Sequence, residues 1–291
     1  MGPSQSLLVI ALSLSSILTS STDYSALIFK GCADQTFQNS NAIYTGALRT
    51  LLDALISQSS ATKFYKTTSG DGTPAAVSGL FQCRGDISNS DCSSCVRKAP
   101  SLAQKLCGQA IAARVQLHGC YLRYEISGFR QASGVELLYK LCGSTRASGG
   151  GFGDRLDPAL GEIVKGVGSG GFYAGAYESV YVMGQCEGDL SSADCVSCAK
   201  TAIDKAKSEC GGAISAQLYL QACYISYAYY PNGVATNNQH PFSSSGAQRW
   251  NAQKIIAVVL GGAVGVGLVM ACLLFTKSVF KKRHRNYKYG G

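Results

Sequence analysis

Histidine is nearly absent from this chain: only His118, His240 and His284 occur among 291 residues, in three separate regions. No catalytic triad or metal cluster can be assembled from them, so the sequence points to no enzyme, no metal and no cofactor. His118, two residues before Cys120, reads as a strand residue rather than a base. No Asn-x-Ser/Thr sequon occurs, and an exported chain would carry no N-glycans. Charge is sparse as well. With 15% charged residues against 46% hydrophobic, the chain is too apolar for disorder and holds enough material for two modest cores. The last 15 residues contain no acid at all, and their six cations, Lys277, Lys281, Lys282, Arg283, Arg285 and Lys288, account for most of the net charge of +9. What precedes them is nearly neutral, which excludes nucleic-acid binding by charge.

The apolar residues gather in two end runs. Leu7–Leu18 has no Lys or Arg before it, but small residues follow from Thr19 to Thr22, the pattern of a cleaved signal peptide over 1–22. Ile255–Phe275 holds no charge, and as a helix rising 1.5 Å per residue it is about 31 Å long, the thickness of a bilayer core. We therefore expect a single span over 254–276, with Trp250 at one interface and the basic tail, 277–291, in the cytosol. Ala257, Gly261 and Gly265 recur every fourth residue along that span, a stripe suited to close helix packing and self-association. Cys272 lies near the cytosolic boundary, where palmitoylation and an inert thiol are both open. Residues 232–253 are polar, with Pro241 and Ser243–Ser245, and read as a stalk.

Cysteine is the abundant signal, and twelve of the thirteen fall into two ladders. Cys83, Cys92, Cys95, Cys107 and Cys120 have successive separations of 9, 3, 12 and 13, and Cys186, Cys195, Cys198, Cys210 and Cys223 repeat them. The flanks Gln82-Cys83 with Gly85-Asp86 match Gln185-Cys186 with Gly188-Asp189, so the chain is an internal duplication. Cys32 and Cys142 each complete a set of six. An even count behind a signal peptide points to full disulfide pairing in an oxidising compartment. Zinc or redox use of Cys92-x-x-Cys95 fits secretion poorly, and the spacing lacks the second close pair of a zinc ribbon. Six cysteines leave fifteen connectivities per repeat.

Helical spacing of Leu48, Leu51, Leu52, Leu55 and Ile56 predicts a helix over Asn41–Ser57. Ser90 or Asp91 is the expected cap of a second, which carries Cys92 and Cys95 on one side. Val77–Cys83, Ala112–Glu125 and Ala216–Tyr229 read as strands, as do the short runs before Cys32 and Cys142. The fold class is α+β: two tandem disulfide-rich domains, 23–130 and 135–231, each with two helices on a small antiparallel sheet, then the span. The short linkage predicts repeats packed together in one fixed orientation.

The Cys-x8-Cys-x2-Cys core, the gaps of eleven and twelve residues, and the strand GCYLRYE at 119–125 resemble the ginkbilobin homology domain of plants. The resemblance implies the pairs Cys32–Cys107, Cys83–Cys92 and Cys95–Cys120, then Cys142–Cys210, Cys186–Cys195 and Cys198–Cys223. Among proteins carrying the domain, two copies plus a span exclude the small secreted lectins, and 15 residues after Thr276 leave no space for a kinase. What remains is similar to the plasmodesmata-located proteins, as is the opening DYSALIFKGCADQ. That resemblance implies a non-enzymatic type I protein of the plasma membrane at plasmodesmata, its ectodomains facing the wall. It also implies control of cell-to-cell trafficking, with callose deposition and viral movement proteins as associated themes, and wall glycans or proteins as ligands. Mannose-binding members use an Asn, an Arg and a Glu, which here match Ala33, Arg114 and Glu125, then Gly143, Gln217 and Ala228. The first copy is a degenerate glycan pocket of Arg114 and Glu125, and without sugar those two read as an ion pair on neighbouring strands. The competing reading is a carbohydrate-binding plasma-membrane receptor acting with a separate co-receptor kinase.

Overall fold

A computed structural model describes residues 23–37, 42–73, 75–126, 133–147 and 151–231. The expected signal peptide, stalk, span and tail, with Ala257, Gly261, Gly265 and Cys272, lie outside the described residues. Among the described residues no helix is long and apolar enough to cross a membrane.

Each repeat builds the same unit. The first runs β1 (Leu27–Cys32), α1 (Ala42–Gln58), β2 (Phe64–Ser69), β3 (Val77–Cys83), α2 (Asn89–Cys107), β4 (Ala112–Leu117) and β5 (Cys120–Ile126). The second runs β6 (Leu137–Cys142), α3 (Phe152–Gly170), β7 (Phe172–Tyr177), β8 (Val180–Cys186), α4 (Ser192–Cys210), β9 (Ser215–Leu220) and β10 (Cys223–Tyr229). The strands form two five-stranded antiparallel sheets, ordered β1-β4-β5-β3-β2 and β6-β9-β10-β8-β7.

Two findings differ from the sequence reading. The edge strands β2 and β7 are additional, and α2 starts earlier, capped by Ser88. The Ser88 hydroxyl accepts the Asp91 amide at 3.0 Å and donates to the Asp91 carboxylate at 2.7 Å. Ser191 and Asp194 repeat the arrangement at the start of α4. Serine and acid three apart satisfy first-turn amides and place a negative charge at the positive end of the helix dipole.

Strand alternation divides each sheet into two faces. One carries Val77, Phe81, Val115, Leu117, Leu122 and Tyr124, packed against Leu51 and Leu55 of α1 and Val96, Ala99 and Ala103 of α2. The second repeat fills the equivalent core with Val182, Leu218, Ile225, Ile163, Val167 and Ala202. Six disulfides join Cys32–Cys107, Cys83–Cys92, Cys95–Cys120, Cys142–Cys210, Cys186–Cys195 and Cys198–Cys223. Cys83 and Cys120 are direct partners across β3 and β5, while Cys92 and Cys95 sit one turn apart on α2. Two adjacent bridges therefore clamp the start of α2 to two neighbouring strand ends.

Candidate functional site: the seam between the repeats

The second face of each sheet carries the polar members of the alternation. In the first repeat these include Arg114, Gln116, Tyr121, Arg123 and Gln82, and in the second Tyr219, Tyr224, Ser226 and Gln185. In an isolated domain this face would meet water. Here it meets the other repeat, and Gln82, Arg84, Gln116, Gln185, Glu187 and Ser226 are all buried.

Contacts across the seam are reciprocal, as a two-fold relation between copies requires. The Gly188 amide donates to Gln82 Oε1 at 2.9 Å, and the Gly85 amide donates to Gln185 Oε1 at 3.3 Å. Gln185 Nε2 donates to the Cys83 carbonyl at 3.0 Å. Phe64 covers Gly188 and Phe172 covers Gly85, so closely that a Cβ would stand 2.5 Å and 2.4 Å from the respective rings. Glycine is required at both positions because the opposing ring occupies the side-chain space. Phe29 stacks on Tyr139, its own counterpart, with centroids 5.1 Å apart.

Charges break the symmetry. Arg84 and Glu187 occupy equivalent positions, immediately after the second cysteine of each repeat. Arg84 stays within its own repeat, held by Asp86 at 2.6 Å, and packs over Tyr24 at 5.7 Å. Burial works against its charge, but the Asp86 hydrogen bond and charge, together with the Tyr224 and Tyr24 phenols, more than compensate and its pKa is raised. Glu187 crosses the seam: it accepts the Tyr121 hydroxyl at 2.5 Å and Arg123 at 2.8 Å. Burial and the Glu187 charge push the Tyr121 phenol well above its usual value. Burial opposes the Arg123 charge while Glu187 supports it, with a net rise. Lys66 reaches Asp189 at 2.7 Å; its counterpart position in β7 is Ala174, so this bridge has no twin.

Arg114 belongs to this seam. Its Nη1 donates to the Gln221 carbonyl of the second repeat at 2.8 Å, and its guanidinium lies 4.1 Å over the Tyr121 ring. Burial lowers its pKa, though an arginine stays charged. In register Arg114 faces Arg123, and Glu125 faces Ala112. Arg114 thus forms no ion pair with Glu125, and its donors serve the neighbouring repeat instead of an open sugar pocket. The cavity beside it holds about 30 Å³, space for water and not for a sugar ring. The second-copy positions Gln217 and Ala228 lie on the same covered face, and Gln217 accepts the Tyr219 hydroxyl at 2.7 Å. Among the described residues, no group of His, Cys, Asp or Glu is arranged to hold a metal. His118 sits at the cavity rim, where its carbonyl accepts Arg84 Nη1 at 3.3 Å.

Two six-cysteine α+β units locked face to face across one sheet seam define a tandem cysteine-rich ectodomain. The salt stress response/antifungal family model matches residues 31–127 and 141–230, and the chain belongs to that family and, within it, to the plasmodesmata-located proteins. It is 48% identical to plasmodesmata-located protein 2 of Arabidopsis thaliana over 93% of this chain and 92% of that one. Against plasmodesmata-located protein 1 of the same plant the identity is 45%, over 91% of both. Among solved structures it is similar to the tandem DUF26 ectodomain of the Arabidopsis thaliana cysteine-rich receptor-like protein PDLP8. The TM-score there is 0.65 at 31% identity, over 70% of this chain and 98% of that one. The PDLP5 ectodomain gives 0.62 at 28% identity, over 70% and 100%.

Proposed function

We propose that this chain is a non-enzymatic type I membrane protein of plasmodesmata, its paired repeats facing the wall and its basic tail in the cytosol. In this role it modulates cell-to-cell trafficking, linked to callose and open to docking by viral movement proteins. The observation that carries the reading is the 48% identity to a plasmodesmata-located protein over nearly the whole of both chains. An alignment of that reach runs beyond the two matched repeats. The fixed seam supports it from a second direction: two repeats held rigidly make one extended recognition body, which loses little entropy on meeting a wall partner. The span supplies targeting and self-association through the stripe of Ala257, Gly261 and Gly265.

A fluorescent C-terminal fusion tests the reading. Puncta at wall junctions that overlap callose, together with altered movement of a free fluorescent protein between cells when the level of the chain is changed, are expected. A uniform plasma-membrane signal with unchanged movement refutes it, and favours the receptor that works with a separate kinase.

A further inference from the structure

The duplication offers an internal control for every position, and one core position has lost its filling in the second copy. Phe37 is buried in the first repeat, its ring 5.5 Å from that of Tyr44. Its amide donates to the Gln109 carbonyl; the equivalent bond in the second repeat runs from Ala147 to the Gly212 carbonyl. The flanking bridges Thr36–Ala110 and Arg146–Ala213 fix the same equivalence. Ala147 therefore stands where Phe37 stands. The Cys83 and Cys186 amides donate to the Lys63 and Gly171 carbonyls, and the buried residues Leu51, Leu55 and Ser59 then match Ala159, Ile163 and Val167, which aligns α1 with α3 and puts Phe152 at the place of Tyr44. One ring of the pair is kept and the other has become a methyl group.

The Phe152 ring packs onto Tyr229 and Tyr227, at centroid distances of 5.2 and 6.5 Å, and does not take the place of the missing Phe37 ring. An open-sided depression of about 350 Å³ remains, floored by Ala147, Phe152, Leu156, Ala206 and Tyr227. An apolar cavity of about 150 Å³ already takes up benzene. Lys207 stands at its edge, but its ammonium is engaged by Asp157 at 2.8 Å, so the local charge is balanced and favours no ion. We propose that the second repeat binds a small uncharged aromatic molecule of one ring, which occupies the place that Phe37 fills in the first.

The test uses the full chain in lipid nanodiscs, with p-cresol as probe and empty nanodiscs subtracted. Wild type should bind one equivalent saturably, with a Kd on the order of 1 mM or tighter. Ala147→Phe, which rebuilds the first repeat's plug, should weaken binding at least about tenfold, a loss of about 1.4 kcal/mol of binding free energy, and raise the thermal midpoint. Phe37→Ala should add a second equivalent. No saturable binding by wild type overturns the proposal, as does binding unchanged by Ala147→Phe. Should that variant fail to fold, Ala147→Leu decides: weakened binding supports the slot and unchanged binding overturns it.

Discussion

The crossing ion pair gives the sharpest measure of how firmly the repeats are joined. The Glu187 side chain is only 4% exposed and accepts both Arg123 and the Tyr121 hydroxyl, while Arg123 keeps 16% exposure. Removing one partner of a fully buried pair costs about 3–5 kcal/mol, because the survivor stays buried without compensation. After Glu187→Gln, Arg123 recovers some water through its exposed fraction, so the expected loss is about 2–4 kcal/mol. Arg123→Met leaves the carboxylate with only the Tyr121 hydroxyl and should cost at least as much. The double variant, Arg123→Met with Glu187→Gln, leaves no charge stranded. Its cost should therefore fall short of the summed singles by a coupling of about 1–3 kcal/mol. Urea unfolding of the ectodomain with disulfides intact, followed by far-ultraviolet circular dichroism, yields all four free energies. A coupling below about 0.5 kcal/mol would show that this pair does not hold the repeats together.

Opening Cys32–Cys107, which spans 75 positions, should cost about 4.5 kcal/mol by chain entropy, against about 2.6 for Cys83–Cys92, which spans 9; paired Cys→Ala variants in the same assay should keep that order. Gly188→Ala must displace the Phe64 ring and should destabilise by about 1–3 kcal/mol, whereas Gly161→Ala, in a helix and with nothing within 4 Å, should stabilise by about 0.5–1 kcal/mol. Burial, aided by Arg84 and opposed by Asp23, holds His118 below its ordinary 6.5, so the unfolded chain binds the proton more readily. Stability should therefore be complete above about pH 6.5 and decline as pH falls below it; His118→Gln should flatten that limb of a plot of thermal midpoint against pH. Burial raises the Asp189 carboxyl, but the hydrogen bond and the charge of Lys66, with its remaining hydrogen bonds, together hold it below the usual carboxylate range. Its contribution is present above that range and is lost as pH falls through the lowered value, so Lys66→Met should remove this second, more acidic decline.

The duplication and the α+β class of the repeats were legible because cysteine spacing and strand alternation are local signals, and the short linkage pointed to repeats packed together. The strands β2 and β7 were not. Their sequences, FYKTTS and FYAGAY, carry too few apolar alternations at a sheet edge to stand out from loops. The expected caps of α2, Ser90 or Asp91, stand two or three residues past Ser88 because all three have the right chemistry. Only the packing of Cys92 against Cys83 fixes which of them opens the helix. The seam was the hardest part, because Tyr121, Arg123 and Glu125 alternate with Leu122 and Tyr124 as on any half-solvated strand. A weak signal lay in the other copy, where Tyr224, Ser226 and Ala228 take the same places without charge. An uncharged outer face is one that another surface can cover.

The asymmetry of the seam follows from fusing the two copies. In a dimer of identical chains a two-fold interface must use each residue twice, so a glutamate after the second cysteine would appear on both sides and an arginine likewise. A duplicated gene is free of that constraint. Gln82 with Gln185, Gly85 with Gly188 and Phe64 with Phe172 keep the symmetric frame, since amide, glycine and ring are each self-complementary. Arg84 and Glu187 have diverged within it, one closing a local pair with Asp86, the other crossing to Arg123 and Tyr121. Unequal charges on an otherwise symmetric frame favour pairing of the first repeat with the second over pairing of like with like, because two second repeats would bring Glu187 to a place where Ser226 stands instead of Arg123. The same freedom let Ala147 replace Phe37 in one copy alone. A symmetric dimer would open that depression on both sides and lose core volume twice, whereas the fused chain keeps one repeat filled and opens the other.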